Sequence, residues 1–199
     1  VRFFAGYDMQ SIDLNSESLI KQAYAKGVPM GANLMAEGTK SPDFIVWAQR
    51  DKNGSPLQRI QIIKGWVDPE NSVPHEIVYD VVCSDGLSVD PVTNRCPDNG
   101  ARVNINDCSI TQGVGSTELK ATWSDPDFDP KAKSFYYVRV LENPTCRWST
   151  WDAIKAGLKP RAGLHQTIQE RAWTSPIWYV PPKDNLDIIP LAGSISAKD

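Results

Sequence analysis

The segment from Ser134 to Glu142 carries apolar side chains at both its odd and its even positions. A β-strand has a two-residue period, so its side chains alternate between two faces. One face of this segment carries Phe135, Tyr137, Arg139 and Leu141, and the other carries Tyr136, Val138, Val140 and Glu142. Because a strand that is apolar on both faces is buried on both, we expect this segment to be the central strand of a sheet.

Six further segments show strand patterns separated by turn residues. They are residues 1–7, 43–50, 58–67, 75–82, 117–123 and 169–180. Asn53 and Gly54 predict a hairpin between the second and third of these segments, and the turn at 124–130 predicts a hairpin between 117–123 and the central strand. Pro176 interrupts the last segment, which places that strand at an edge or a bulge.

Two short helices complete the pattern. A covering helix is expected near 16–26, where apolar residues share one side and Gly27 ends it, and a second helix is expected over 149–156. Neither is long enough to be a crossover between parallel strands. The chain is therefore predicted to be mainly β, an antiparallel β-sandwich that forms one domain over 1–183 and continues into a flexible tail over 184–199.

Composition and charge change this picture by excluding two classes of partner. The apolar content of 41%, with seven tryptophans, is enough for a sizeable core. No apolar run reaches the length of about 18 residues that a membrane-spanning helix needs. The 21 basic residues are scattered and the net charge is -3, so neither nucleic acid nor an anionic membrane is an expected partner.

The four cysteines predict disulfides rather than a zinc site, because they form no C-x-x-C pair and only two histidines are available to complete a site. We prefer the pairs Cys83 with Cys96 and Cys108 with Cys146, since the second predicted hairpin brings Cys108 opposite a position close to Cys146. One bridge with two free buried thiols is the alternative. Disulfides imply an oxidising compartment, so the protein is expected to be exported, either to the periplasm or to the exterior.

The start of the chain bears on its origin. The sequence begins at Val1, without Met, directly on an apolar run. A removed leader and a fragment of a longer protein both explain this start. We favour the fragment, because mature termini are usually polar and loosely held.

Asp125, Asp127 and Asp129 stand at alternate positions in one turn. Calcium loops bring oxygen ligands together with such spacing, so these residues are candidate calcium ligands. The prolines at 126 and 130 also fit a plain Asp-Pro turn, and the glycine and distal glutamate of an EF-hand loop are missing. Both interpretations stay open at the level of the sequence.

Arg147, Trp148, Trp151 and Trp173 are the candidate ligand-binding residues. They would form an exposed aromatic platform of the kind that carbohydrate-binding sandwiches use, or else fill the core under the second helix, which is the interpretation we favour. His75 and His165 show no ligand spacing, and no serine lies in a G-x-S-x-G elbow. No catalytic residue is predicted.

Eight stretches, in order along the chain, resemble one family. They read VRFFAGYD, AKGVPMGANL, LQRIQIIKGW, DVVCSDG, RCPDNGAR, DPDFDP, FYYVRVLENPTCRWS and TIQERAWTSPIWY. The chain is similar, from residue 1 to about 180, to the C-terminal part of the exported bacterial proteins catalogued as domain of unknown function 3604. The resemblance implies a further N-terminal half, similar to metal-dependent phosphoesterases of the polymerase and histidinol phosphatase type. The histidine-rich motifs of that half have no counterpart here, and Asn33 stands where the family commonly has aspartate.

The expected function follows from the fold and this resemblance. We expect an accessory or structural C-terminal domain of a larger exported protein, without a complete active site, whose partner is the N-terminal half. One alternative is a module that binds carbohydrate or another ligand of the cell envelope, with or without calcium. A second alternative is a part of a metal-dependent hydrolase whose catalytic half is missing.

Overall fold

The structure is a computed structural model that describes residues 1–182. The predicted tail at 184–199 lies outside the described residues. The strands are β1 (Arg2–Gly6), β2 (Gly27–Pro29), β3 (Asn33–Met35), β4 (Asp43–Gln49), β5 (Leu57–Val67), β6 (Pro74–Cys83), β7 (Glu118–Ser124), β8 (Ser134–Glu142), β9 (Thr145–Cys146), β10 (Thr167–Ile168), β11 (Arg171–Trp173) and β12 (Ile177–Val180). The helices are α1 (Leu19–Lys26) and α2 (Trp148–Lys155), and a 3-10 helix covers Met9–Ser11.

Two main sheets face each other. The first has four strands in the order β2-β1-β4-β7, and the second has six, in the order β3-β12-β8-β5-β6 with β11 also on β8. All pairs are antiparallel except β12 with β3, which is parallel. The prediction of a mainly β, antiparallel sandwich with two short helices is confirmed.

The central position of β8 is also confirmed. This strand pairs with β5 along one side, and with β12 and β11 in succession along the other. The gap between β11 and β12 contains Pro176, as expected from a residue that interrupts a strand.

Both predicted hairpins are wrong. β4 pairs with β1 and β7, whereas β5 pairs with β6 and β8, so the turn after β4 carries the chain from one sheet to the other. β7 and β8 likewise lie in different sheets. The turn residues do form a local turn, since the Gly54 N–H donates to the Asp51 carbonyl at 2.9 Å. A turn alone does not decide whether the next strand pairs with the last one or packs opposite it.

The core lies between the sheets. The four-stranded sheet contributes Phe3, Phe44 and Val46, and the six-stranded sheet contributes Ile60, Ile62, Tyr136, Val138 and Ile177. The other face of the four-stranded sheet is covered by α1 and the 3-10 helix, which bury Phe4, Met9, Ile12, Leu19, Ala23 and Ile45. Among residues 1–182, no helix lies over the other face of the six-stranded sheet, and we call that surface the outer face.

Both predicted disulfides are present. Cys83 bonds to Cys96 and Cys108 bonds to Cys146, each with a Cα separation of 5.6 Å. The reason given for the second bond was wrong, because its hairpin does not exist. Instead, β9 follows directly after β8, and Cys146 in it meets the loop that contains Cys108. Neither of the two eight-residue helices in the described residues has the length and apolarity of a membrane span.

Candidate functional site

The register of the six-stranded sheet arranges the outer face in rows across the strands. At one end, Asn33 on β3 lies beside Trp178 on β12, which faces Phe135 on β8. The same row continues through Gly65 on β5 to Glu76 on β6. This row of five residues contains two aromatic rings, one glycine and two polar ends.

A depression of about 770 Å³ lies over this row. Gly65 forms part of its lining, and a Cβ at that position would overlap the Phe135 ring, so the strand needs glycine there. Phe135 and Trp178 contact each other, with ring centroids 5.1 Å apart and planes tilted by 48°. Trp178 leaves 48% of its surface exposed. The absence of a side chain on Gly65 therefore lets the Phe135 ring lie over β5, close to Trp178.

Polar groups stand around the depression. Asn33, Glu76 and Lys133 belong to its lining, together with His75, whose ring stacks on Trp66 at a centroid distance of 5.1 Å. Ligand sites commonly have a volume of about 300 to 1,000 Å³, apolar walls and a few polar groups that fix orientation. The depression has this combination.

These residues were not among the site residues predicted from the sequence. Phe135 and Trp178 were seen only as parts of strand patterns. The signal that was present is Gly65, a single glycine within a strand of large side chains, which indicates a close approach by a neighbouring group. Asn33 also lines the depression.

The predicted aromatic platform is not a core cluster. Trp148 is 73% exposed, Trp173 58% and Trp151 39%, so the interpretation that these rings fill the core is wrong. Arg147 and Trp173 line one depression of about 320 Å³, whereas Trp151 lines a different one of about 510 Å³ and Trp148 lines neither. Exposure fits a role in binding, but the four residues do not share one site, and their role in binding stays a prediction.

The aspartates of the predicted calcium turn are used inside the fold. Asp125 is 5% exposed and its carboxylate lies 2.6 Å from the Lys64 ammonium, while the Tyr136 hydroxyl donates to it at 2.7 Å. Asp127 accepts from the Tyr79 hydroxyl at 2.6 Å. Burial raises the pKa of both tyrosines, and the pKa is raised further by Asp127 for Tyr79 and by Asp125 for Tyr136.

Asp129 accepts from the backbone N–H of Lys131. Within the described part of the chain, no group of three or more acidic, histidine or cysteine side chains could hold a metal ion. Calcium binding stays a prediction of the sequence, and Asp125 would have to exchange its ion pair with Lys64 for the metal.

Glu142 belongs to the same 510 Å³ depression as Trp151 and Glu170. Burial raises the pKa of the Glu142 carboxyl, and the negative charges of Glu170 and Asp51 raise it further. A hydrogen bond from the Ser55 backbone lowers that pKa, without reversing the rise. The ionised form of Glu142 is therefore disfavoured in the folded state.

Glu142→Gln is expected to raise the Tm at neutral pH and to change it little below pH 4.5, the ordinary pKa of the group. A carboxyl group whose pKa is raised by folding costs stability as the pH rises above its unfolded value, and glutamine removes that charge. The gain is below about 1 kcal/mol because the group is partly exposed. Thermal melts at both pH values, with the exposed Glu17→Gln as control, measure it. An equal effect at both pH values would contradict the assignment.

Comparison with known proteins gives the family of the chain. A search of curated proteins and a search of solved structures found no match. The model of the family described as "Protein of unknown function (DUF3604)" matches residues 1–181. Because that match covers nearly all of the sequence, the chain belongs to the DUF3604 family.

Proposed function

We propose that this chain is an accessory binding domain of a larger exported protein, and that it holds a carbohydrate of the cell envelope in the depression on its outer face. The single observation that carries the proposal is the combination of an open apolar depression with two aromatic walls and a polar rim. The domain contributes binding, and the chemistry belongs to another part of the protein.

The shape of the depression supports a sugar as its ligand. A sugar ring has an apolar face, which packs on an aromatic side chain, and an edge of hydroxyl groups, which need hydrogen-bonding partners. Trp178 offers a half-exposed ring, and Asn33 and Glu76 stand at opposite ends of its row with acceptors and a donor for hydroxyl groups. An exposed, contiguous aromatic surface also fits a binding surface better than an ordinary exterior.

Two further observations support the accessory and exported parts of the proposal. The disulfides fit a protein that matures in an oxidising compartment. The resemblance implies an N-terminal half similar to metal-dependent phosphoesterases, which would be the partner that this domain serves.

Isothermal titration calorimetry with a panel of cell-envelope oligosaccharides tests the proposal. Trp178→Ala is expected to weaken the binding of the active oligosaccharide about tenfold, because the stacking surface is lost. Trp148→Ala is the matched control, since it removes an exposed ring on α2 that lies outside the depression. Loss of binding in the control alone would move the site to α2 and contradict the proposal.

The same experiment separates a sugar site from a docking surface. If no oligosaccharide binds, acrylamide quenching of Trp178 is compared between this chain and the full-length protein. Protection of Trp178 in the full-length protein alone would show that the neighbouring half covers the depression, and the carbohydrate proposal would then be wrong.

A further inference from the structure

Four arginines gather on the outer face, at the end of the sheet away from the aromatic depression. One row there runs from Trp173 on β11 through Arg139 on β8 and Gln61 on β5 to Asp80 on β6. Its members are joined by hydrogen bonds, since Arg139 Nε donates to Gln61 Oε1 at 2.6 Å and Gln61 Nε2 donates to Asp80 Oδ1 at 2.6 Å. Arg139, Gln61 and Asp80 thus form a continuous chain of hydrogen-bonded polar side chains across the sheet.

The next row places Arg171 on β11 and Arg59 on β5 on either side of Leu141. Arg95, from the loop that the Cys83–Cys96 bond closes, lies 3.9 Å from Asp80 and donates to the Val78 carbonyl. We call Arg59, Arg95, Arg139 and Arg171 the arginine cluster. Its members come from three strands and one disulfide-closed loop, so the fold and not a local run of sequence brings them together.

The cluster contains more positive charge than its one buried carboxylate neutralises. Asp80, whose side chain is 1% exposed, pairs with Arg59 at 3.5 Å and with Arg95 at 3.9 Å. Within residues 1–182, neither Arg139 nor Arg171 forms an ion pair with a carboxylate. Four guanidinium groups and one carboxylate leave a charge of +3 in this small area.

The excess of positive charge affects the Arg59 guanidinium. Its buried Nε atom lies 3.5 Å from the Asp80 carboxylate and forms no hydrogen bond within the described residues. Burial lowers the pKa of the Arg59 guanidinium, and repulsion from Arg139, Arg95 and Arg171 lowers it further, against the attraction of Asp80. An anion bound among these groups would reduce the repulsion between them.

We propose that the arginine cluster binds an oxyanion, which is a carboxylate, sulfate or phosphate group of the ligand. Guanidinium groups present planar pairs of donors that match the oxygens of these groups and are the usual residues for them. Gln61 fixes the position of Arg139 by a hydrogen bond, and Asp80 fixes Arg59 and Arg95 by ion pairs. Arg139 and Arg171 supply the donors that face the solvent.

The position of the cluster relative to the aromatic depression indicates which kind of ligand would contain the anion. Arg139 follows Phe135 by four residues on the same face of β8, which places it about 13 Å from the aromatic depression. Tyr137 occupies the interval on that face. This placement points to an acidic oligosaccharide whose neutral part lies on Trp178 and whose charged part reaches the arginines. That identification of the ligand rests on the proposed function. Anion binding itself does not depend on the depression.

Isothermal titration calorimetry at constant ionic strength tests the proposal with three probes, namely inorganic phosphate, a sulfated oligosaccharide and a uronic-acid oligosaccharide. The wild type is expected to bind at least one of them saturably. Arg171→Gln is expected to weaken that binding about tenfold, as loss of a charge-assisted contact does. Arg2→Gln, which removes the same charge from an exposed position in the other sheet, is expected to bind like the wild type. The probe that binds identifies the anion.

Two results would overturn the proposal. One is the absence of saturable binding for all three probes, and the other is equal affinity in Arg171→Gln and Arg2→Gln. Trp178→Ala distinguishes this failure from failure of the carbohydrate site, because it is expected to leave the binding of inorganic phosphate unchanged while weakening that of the acidic oligosaccharide. Arg139→Lys keeps the charge but loses the planar pair of donors, so it is expected to weaken binding as well.

Discussion

Lys64→Met is expected to lower the free energy of unfolding by about 3 to 5 kcal/mol, as loss of one partner of a buried ion pair does. Lys64 is 3% exposed, and its ammonium lies 2.6 Å from Asp125 and donates to the Asp127 carbonyl at 2.6 Å. Removing it leaves the Asp125 carboxylate buried without a counter-charge. Chemical denaturation followed by circular dichroism measures the loss.

Lys120→Met is the matched control, because Lys120 pairs with Glu118 at 3.2 Å near the surface. Its removal is expected to cost no more than about 1 kcal/mol. The double variant Lys64→Met with Asp125→Asn removes the stranded charge and is expected to be more stable than Lys64→Met alone. A double variant as unstable as the single one would show that packing, and not charge, dominates at this position.

Replacing both Cys108 and Cys146 with alanine is expected to cost about 4 kcal/mol, and the same change at Cys83 and Cys96 about 3 kcal/mol. The bond between Cys108 and Cys146 closes the longer loop, with a sequence separation of 38 against 13, so it restricts the unfolded chain more. Thermal melts of the two double variants measure the difference. If the variant that lacks Cys83 and Cys96 were the less stable of the two, the loss of stability would not follow from the lengths of the closed loops.

The strands were predictable from the sequence, but their pairing was not. β8 reveals its central place because Phe135 and Tyr136 are both apolar and point to opposite faces. Phe44 on β4 and Ile62 on β5 look alike in the sequence, yet they face each other across the core from different sheets. The alternation of apolar and polar residues shows that one side of a strand is buried, but it does not show which element packs against that side. The short connection between β4 and β5 therefore led to the prediction of a hairpin.

The candidate sites were less predictable still. The exposure of Trp148 and Trp173 depends on how α2 and β11 pack, which the residue types do not determine. The arginine cluster was invisible because Arg59, Arg95, Arg139 and Arg171 are scattered over more than one hundred residues and meet only through the strand register. Gly65 was the one local signal of a site in the sequence. It indicated a close contact with a neighbouring group, but it did not show that a depression lies there.

These observations give the two sheets different roles. The four-stranded sheet is covered on both sides, by the core and by α1, and so acts as support. The six-stranded sheet has an outer face with an aromatic depression at one end and excess positive charge at the other. The outer face is therefore the surface that we propose as the binding surface of this DUF3604 chain.

The most direct test of that claim is a titration of the isotopically labelled protein with acidic cell-envelope oligosaccharides, followed by nuclear magnetic resonance of its seven indole N–H groups. The outer face is expected to respond first, with the Trp178 and Trp173 signals shifting together and saturably while the Trp148 signal stays in place. Shifts confined to Trp148 and Trp151 on α2, or no saturable shift at Trp178, would contradict the account.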